Sequence, residues 1–306
     1  MQKRGDTMTY GAIFRQIRIN KGMKLKEAAG DTLSPSQLSR FENGLSMVTV
    51  ETFYEALKNI NATPQEFLFL VGDSQDNELN DAFKKIENLA NTSDLINLKK
   101  LRDSWKKEVK TPYQWKHFLV LFIDNLLHVF ETEQPLNQPE ILDYLMQVED
   151  WGEMELRIYT LFGFVFEVDT TYHLMKSAVK KSRKYMALPQ DAKLLFTILS
   201  NNFSTFIFHK RFDYALETLK LYEEQLDKDV KLLDPHLDFL FNQGIMAFCQ
   251  HDEEDGIALC EKVIELCQLF KQTENLERYE KRYQNWLHGH KDPGYKELTI
   301  NIWTID

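Results

Sequence analysis

Ser34-Pro35-Ser36-Gln37-Leu38-Ser39-Arg40-Phe41-Glu42-Asn43-Gly44 is the stretch on which the fold turns. A serine followed by proline and then glutamine at the third helical position is a capping box. The serine oxygen accepts from the glutamine N–H, the glutamine side chain returns to the serine N–H, and proline fills a position where no N–H is needed. A helix therefore starts at Pro35, turns Leu38 and Phe41 to one side, and ends at Asn43-Gly44, residues that tolerate positive φ. Upstream, Tyr10, Ile13, Phe14 and Ile17 form an apolar stripe at helical spacing, closed by Asn20-Lys21-Gly22. Leu25, Ala28 and Ala29 follow as a short second helix before Gly30. Downstream, Val50, Phe53, Leu57 and Ile60 make a fourth stripe, and Thr63-Pro64-Gln65-Glu66 repeats the capping pattern before Phe67 to Val71. Five helices are expected over residues 9–72.

The whole chain has 306 residues, enough for two domains. With 43% hydrophobic and 27% charged residues but only 12 Gly and 8 Pro, the composition excludes collagen, low-complexity disorder and a Gly/Pro-rich β protein, and predicts an all-α chain. No apolar run reaches the roughly 18 residues of a membrane span, and Met1 to Tyr10 has no apolar signal-peptide core, so a cytoplasmic protein without membrane contact is expected. Cys249, Cys260 and Cys267 are too few, and wrongly spaced, for a disulfide framework or a zinc site. The net charge is −10, but residues 1–72 hold nine Lys/Arg against seven Asp/Glu, while the remainder holds 28 against 40. A mildly basic head on an acidic body suits a DNA-contacting domain joined to a module that does not bind DNA.

The segment 34–44 resembles the recognition helix of the Cro/C1-type (XRE) helix-turn-helix family, with the match covering residues 9–71 and the stretch Ala29 to Leu38 a residue shorter than usual. The chemistry agrees. Ser34, Ser36 and Gln37 can hydrogen-bond base edges in a major groove, Arg40 can pair with guanine, and Arg15, Lys21 and Lys24 can hold phosphates. Gln37 has a second reading as a capping partner that never meets DNA, and Arg40 one as a solvated cation. Glu42 is expected to be structural, because a carboxylate facing phosphate repels it.

The polar run at residues 73–78 reads as a linker. Helical pairs are expected at 79–108, 113–148, 151–187, 190–228 and 235–271, with a last helix at 273–287. Asp213-Tyr214-Ala215-Leu216-Glu217 lines up with Gly256-Ile257-Ala258-Leu259-Cys260 at a spacing of 43, and with Thr171-Tyr172-His173-Leu174-Met175 at 42. Hairpins repeating at this length stack into an α-solenoid, here TPR-like over residues 79–288, with a broad concave groove. Residues 289–306 are expected to form a tail in which Gly289 and Pro293 break the helical pattern, and Glu297 to Asp306 alternates like an extended strand that would dock on a partner or in the groove, a disordered or lightly packed tail being the alternative.

A helix-turn-helix head on such a body resembles the Rgg/MutR family of transcriptional regulators, cytosolic proteins of Gram-positive bacteria. The resemblance rests on Ser36 to Gly44, Trp151-Gly152-Glu153-Met154-Glu155-Leu156, Asp213-Tyr214-Ala215-Leu216 and Phe241-Asn242-Gln243-Gly244. It implies a homodimer on double-stranded promoter DNA, controlled by a short hydrophobic signalling peptide in the repeat domain. An asparagine common in the family after the Trp-Gly pair is missing from Glu155 to Gly163. Amides pair with extended backbone and arginine with carboxylates, which makes Arg157, Asn201, Asn202, Asn242 and Gln243 the candidate peptide contacts; caps and solvated surface are the alternative for each. The second functional reading is a ligand-independent dimeric repressor whose repeats serve only dimerisation or protein contacts. No phosphate loop, nucleophile elbow or zinc-protease motif occurs, the eight histidines are scattered, and neither enzymatic activity nor a cofactor or metal is expected.

Overall fold

The computed structural model describes residues 9–71, 75–112, 114–227 and 232–291. The described residues are helical, without strands, and the chain divides into two compact units between Asn88 and Leu89.

The first unit holds α1 (Tyr10–Asn20), α2 (Leu25–Ala29), α3 (Pro35–Glu42), α4 (Val50–Asn59) and α5 (Pro64–Val71). Thr9, Ser34 and Thr49 cap α1, α3 and α4 by accepting from the N–H groups of Ala12, Gln37 and Thr52. Ile13, Phe14, Ile17, Ala28, Leu38, Phe41, Leu57 and Phe67 form the core. Phe41 and Phe67 both meet Phe53 edge-on, and Phe14 meets Phe41 in the same way. Tyr10 and Val50, which the stripes would turn inward, are exposed, because each is the first residue of its helix and projects past the core. Gly11 sets the closeness of α1 to α3: a Cβ there would stand 1.9 Å from the Phe41 carbonyl oxygen.

α6 (Gln75–Asn91) contains Gln75 to Glu78, so most of the expected linker is the first turn of a helix. A polar run is equally compatible with an exposed helix start, and composition alone does not separate the two.

The remaining helices are α7 (Leu95–Glu108), α8 (Trp115–Thr132), α9 (Pro139–Gln147), α10 (Glu153–Phe162), α11 (Val168–Lys181), α12 (Pro189–Phe208), α13 (Phe212–Leu226), α14 (Leu233–Cys249), α15 (Glu253–Leu269) and α16 (Thr273–Lys291). α16 runs through Gly289 to Lys291, past the expected helix end at residue 287, since one glycine costs a helix only about 1 kcal/mol and does not end it. The expected extended segment at 297–306 lies outside the described residues.

Contacts between successive hairpins recur at one repeat length. Asn202 donates to the Tyr159 hydroxyl across 43 residues, Asn242 to the Ser200 hydroxyl across 42, and the Tyr279 hydroxyl to Asp238 across 41. On the other helices of the pairs, Arg211 binds Asp169 across 42 residues, and the rings of Tyr172 and Tyr214 stack at 3.9 Å. α10 packs directly on α12, and α12 on α14, whereas α11 and α13 meet through long side chains. The closely packed series α10, α12, α14 forms the inner side of the stack, with α11 and α13 on the outer.

Two tethers hold the stack locally. Trp151 is fully buried and donates to the Leu145 carbonyl, while the Lys181 ammonium caps the end of α9 by donating to the carbonyls of Leu145, Met146 and Val148. Gly244 and Gly256 bring α14 and α15 together: a Cβ on Gly244 would lie 2.8 Å from Cys260 Sγ and 3.1 Å from the Gly256 carbonyl oxygen.

Gly11→Ala drives a methyl into backbone that cannot yield, so it is expected to lose at least ~2 kcal/mol in chemical denaturation. Gly244→Ala meets a side-chain sulfur as well as backbone and should lose less; equal stability of Gly11→Ala and wild type would show that α1 and α3 do not need this approach.

Candidate DNA interface and the inner face of the repeats

The orientation of α3 follows from what it buries. Leu38 and Phe41 enter the core, and Glu42 joins them because Arg18 of α1 meets it there in a two-pronged ion pair, Nε to Oε1 at 2.6 Å and the second prong at 2.7 Å. Arg18 also donates to the Met23 carbonyl at 2.7 Å, which ties the turn after α1 to the same pair, and the bond to Glu42 raises its pKa. Glu42 is thereby structural, as its charge suggested.

With that side fixed, Ser36, Gln37 and Arg40 stand exposed on the opposite side of α3, along with Ser34 at its cap. Gln37 occupies its capping role, since its Oε1 accepts from the Ser34 N–H at 2.9 Å, yet it remains exposed, so the two readings of this residue are compatible. Arg40 has one long contact, 3.5 Å to the Leu45 carbonyl. Among the expected phosphate contacts, Arg15 donates to Asn43 Oδ1 at 3.3 Å, Lys21 donates to the Asn61 carbonyl, and Lys24 lies exposed at the cap of α2. The exposed side of α3 thus combines hydroxyls, an amide and one guanidinium, with cations on α1 and before α2, a set able to bind phosphates and read base edges.

In the repeat unit, the five expected peptide contacts fall into two groups. Arg157 on α10 is buried and pairs with Glu153, Asn202 holds Tyr159, and Asn242 holds Ser200, so these three tie helices or helical turns together. Asn201 and Gln243 are half-buried on α12 and α14. Burial pushes the Tyr159 hydroxyl far above its ordinary pKa, and it donates to the Thr171 carbonyl at 2.8 Å. Asp191, in the first turn of α12, is 3% exposed, and its Oδ1 accepts no hydrogen bond from the described residues; burial first, and the charge of Glu153 next, raise its pKa.

Sequence reasoning missed a second cluster, Asp238 of α14 with Arg278, Tyr279 and Arg282 of α16. The Tyr279 hydroxyl and Arg278 reach Asp238 Oδ1 at 2.7 and 3.1 Å, and Arg282 donates to Asn242 Oδ1 at 2.9 Å. A usable signal existed, since Arg278 and Arg282 are one helical turn apart and Asp238 precedes Arg278 by one repeat. Cys260 is buried and pushed up to about 12, which suits packing and not nucleophilic chemistry. Among the described residues no cluster of three His, Cys, Asp or Glu side chains is placed to hold a metal, and no helix is long and apolar enough to cross a membrane.

Two stretches of the chain match known protein families. Residues 79–281 match the family model of the C-terminal domain of the HTH-type transcriptional regulator Rgg, and residues 14–67 match a helix-turn-helix model. A Listeria monocytogenes EGD-e protein assigned as a transcriptional regulator is similar in fold, with 21% identity, a TM-score of 0.81, and coverage of 93% of this chain and 99% of that one. The SHP pheromone receptor Rgg2 of Streptococcus dysgalactiae is similar at 20% identity and TM-score 0.71, covering 90% and 99%. ComR from S. thermophilus, solved in complex with DNA and its signalling peptide ComS, is similar at 12% identity and TM-score 0.55, covering 91% and 99%.

If α3 reads a groove, Arg40→Ala should cost about 1 to 3 kcal/mol on a selected operator and relax base preference, whereas Lys24→Ala should weaken all sequences alike and flatten the salt dependence. Fluorescence anisotropy on operator and random duplexes separates the two; equal operator binding by Arg40→Ala removes it from readout. For Asp191, a raised folded pKa means that its contribution to stability is present at acid pH and lost as pH rises past the ordinary carboxylate range. Asp191→Asn should melt above the wild type at neutral pH, with a gap that closes towards acid pH. A gap independent of pH would show that Asp191 does not titrate differently on folding.

Proposed function

The chain belongs to the Rgg family of HTH-type transcriptional regulators, and from that premise we propose that it binds promoter DNA as a homodimer and is controlled by a short hydrophobic peptide held on the inner side of its repeats. The observation that carries the DNA half is the exposed row Ser36, Gln37 and Arg40 on α3, opposite a buried ion pair that fixes which side of the helix faces out. A single head of this size makes few phosphate contacts and binds weakly at physiological salt, so two heads on two half-sites are the economical arrangement. For the peptide half, the support is the stacked inner series α10, α12 and α14 with half-buried amides at Asn201 and Gln243, together with similarity in fold to Rgg2, a pheromone receptor, and to ComR, which binds a signalling peptide. Amides both donate to and accept from an extended backbone, and half-exposed rings such as Phe164 supply apolar contact.

Selection of operators from a random duplex pool with the full-length protein should return a symmetric site whose half-sites lie about one helical turn or a multiple apart. Short hydrophobic peptides should then change the affinity for that site, and Asn201→Ala or Gln243→Ala should weaken the response without altering DNA binding by the peptide-free protein. A monomer mass by light scattering combined with tight binding to one half-site would contradict the dimer. Operator affinity indifferent to every peptide would leave the repeat domain as an assembly module.

A further inference from the structure

Arg282 on α16 is a cation with too little counter-charge. The carboxylate nearest to it is Asp238, whose Oδ1 already receives the Tyr279 hydroxyl at 2.7 Å and Arg278 at 3.1 Å; Arg282 stands 3.5 Å from the same atom. Among the described residues its other acceptors are neutral, the Asn242 amide oxygen at 2.9 Å and the Ser204 hydroxyl at 3.5 Å. The guanidinium carbon lies over the Phe241 ring, 4.8 Å from its centroid. The two arginines behave differently in the same surroundings. Burial is the largest influence on both, yet the charges of Asp238 and Asp234 leave Arg278 above its ordinary pKa, whereas Arg282 is held below its own. Enclosing a guanidinium without full compensation is costly, and an added anion would recover that cost.

Its position suits an incoming ligand. From α16 the side chain reaches Asn242 and Asp238 on α14 and Ser204 on α12, so it lies where successive inner helices converge, and it keeps 23% of its side chain open to solvent. A half-buried guanidinium whose nearest carboxylate is 3.5 Å away and shared with a second arginine has room for one further negative charge. A carboxylate supplies that and fits the planar fork of a guanidinium through two parallel hydrogen bonds, whereas a phosphate dianion would bring a second charge against Asp238. We infer that Arg282 receives the terminal carboxylate of the peptide that the repeat domain binds, and so fixes which way round that peptide lies. The inference rests on the peptide-receptor reading and adds to it a single anchoring residue and a chemical requirement on the ligand.

The probe is a pool of short random hydrophobic peptides without Asp or Glu, made once as free acids and once as C-terminal amides. Full-length protein is incubated with each, separated by gel filtration, and the retained peptides are quantified by mass spectrometry. The wild type should retain free acids roughly tenfold over the matching amides, the scale of a charge-assisted pair. Arg282→Met, which keeps the stem over Phe241, should lose that preference. Equal retention of acids and amides by the wild type overturns the role of Arg282 while leaving peptide binding standing; retention of neither removes both. If circular dichroism shows Arg282→Met unfolded, Arg282→Lys keeps the charge without the fork and should show a reduced preference, and an undiminished one overturns the assignment.

Discussion

Each helical hairpin from α7 onward can bury its apolar sides only against its neighbours in sequence, and this one-dimensional constraint sets everything that the repeat unit does. A stack of that kind has no central core to average out errors, so each junction must be specified by its own contacts. The specification is visible in the recurrence of partners at 40 to 45 residues: Tyr159 with Asn202, Ser200 with Asn242, Asp238 with Tyr279, Met175 with Thr218. Several of these are buried polar pairs. Such pairs contribute little net stability, but a misaligned stack would strand their donors and acceptors away from water. They act chiefly on register.

The head solves a similar problem with one pair. Arg18 and Glu42 gain little as an ion pair against an apolar alternative, since both charges leave water. What the pair fixes is rotation, because α3 cannot turn Glu42 outward without leaving Arg18 buried and uncompensated. The exposed row of Ser36, Gln37 and Arg40 is the other side of that choice. A surface meant to read another molecule is held in place here by polar contacts on the hidden side.

Local signals were legible in the sequence. The capping box at Ser34 and Gln37 is short-range geometry and forms as its residues dictate, and electrostatics alone kept Glu42 off the DNA-facing side, although nothing in the sequence names Arg18 as its partner. The spacing of 42 between Tyr172 and Tyr214 marked the repeat, and the structure stacks those two rings. Long-range choices were not legible. Lys181 lies 36 residues from Leu145, on another hairpin, and its use as a cap for α9 depends on how the hairpins meet. Asn202 and Asn242 carry amides whose two-way hydrogen bonding suits a ligand and a neighbouring helix equally, and here it serves the helix. The choice between a helix start and a linker at Gln75 to Glu78 was undecidable from composition, because both are polar.

The unequal spacing of the two helical series has a mechanical meaning. On the inner side α10, α12 and α14 approach backbone to backbone; on the outer side α11 and α13 are joined by levers, with Arg211 reaching Asp169, Lys176 reaching Glu217, and Tyr172 lying flat on Tyr214. Side chains of this length rotate and slide at small energetic expense, while interlocked backbones do not. The stack is therefore stiff against stretching along its inner line and compliant in curvature, so that its softest deformation is a change of bend pivoting on the inner helices and taken up by the outer ladder.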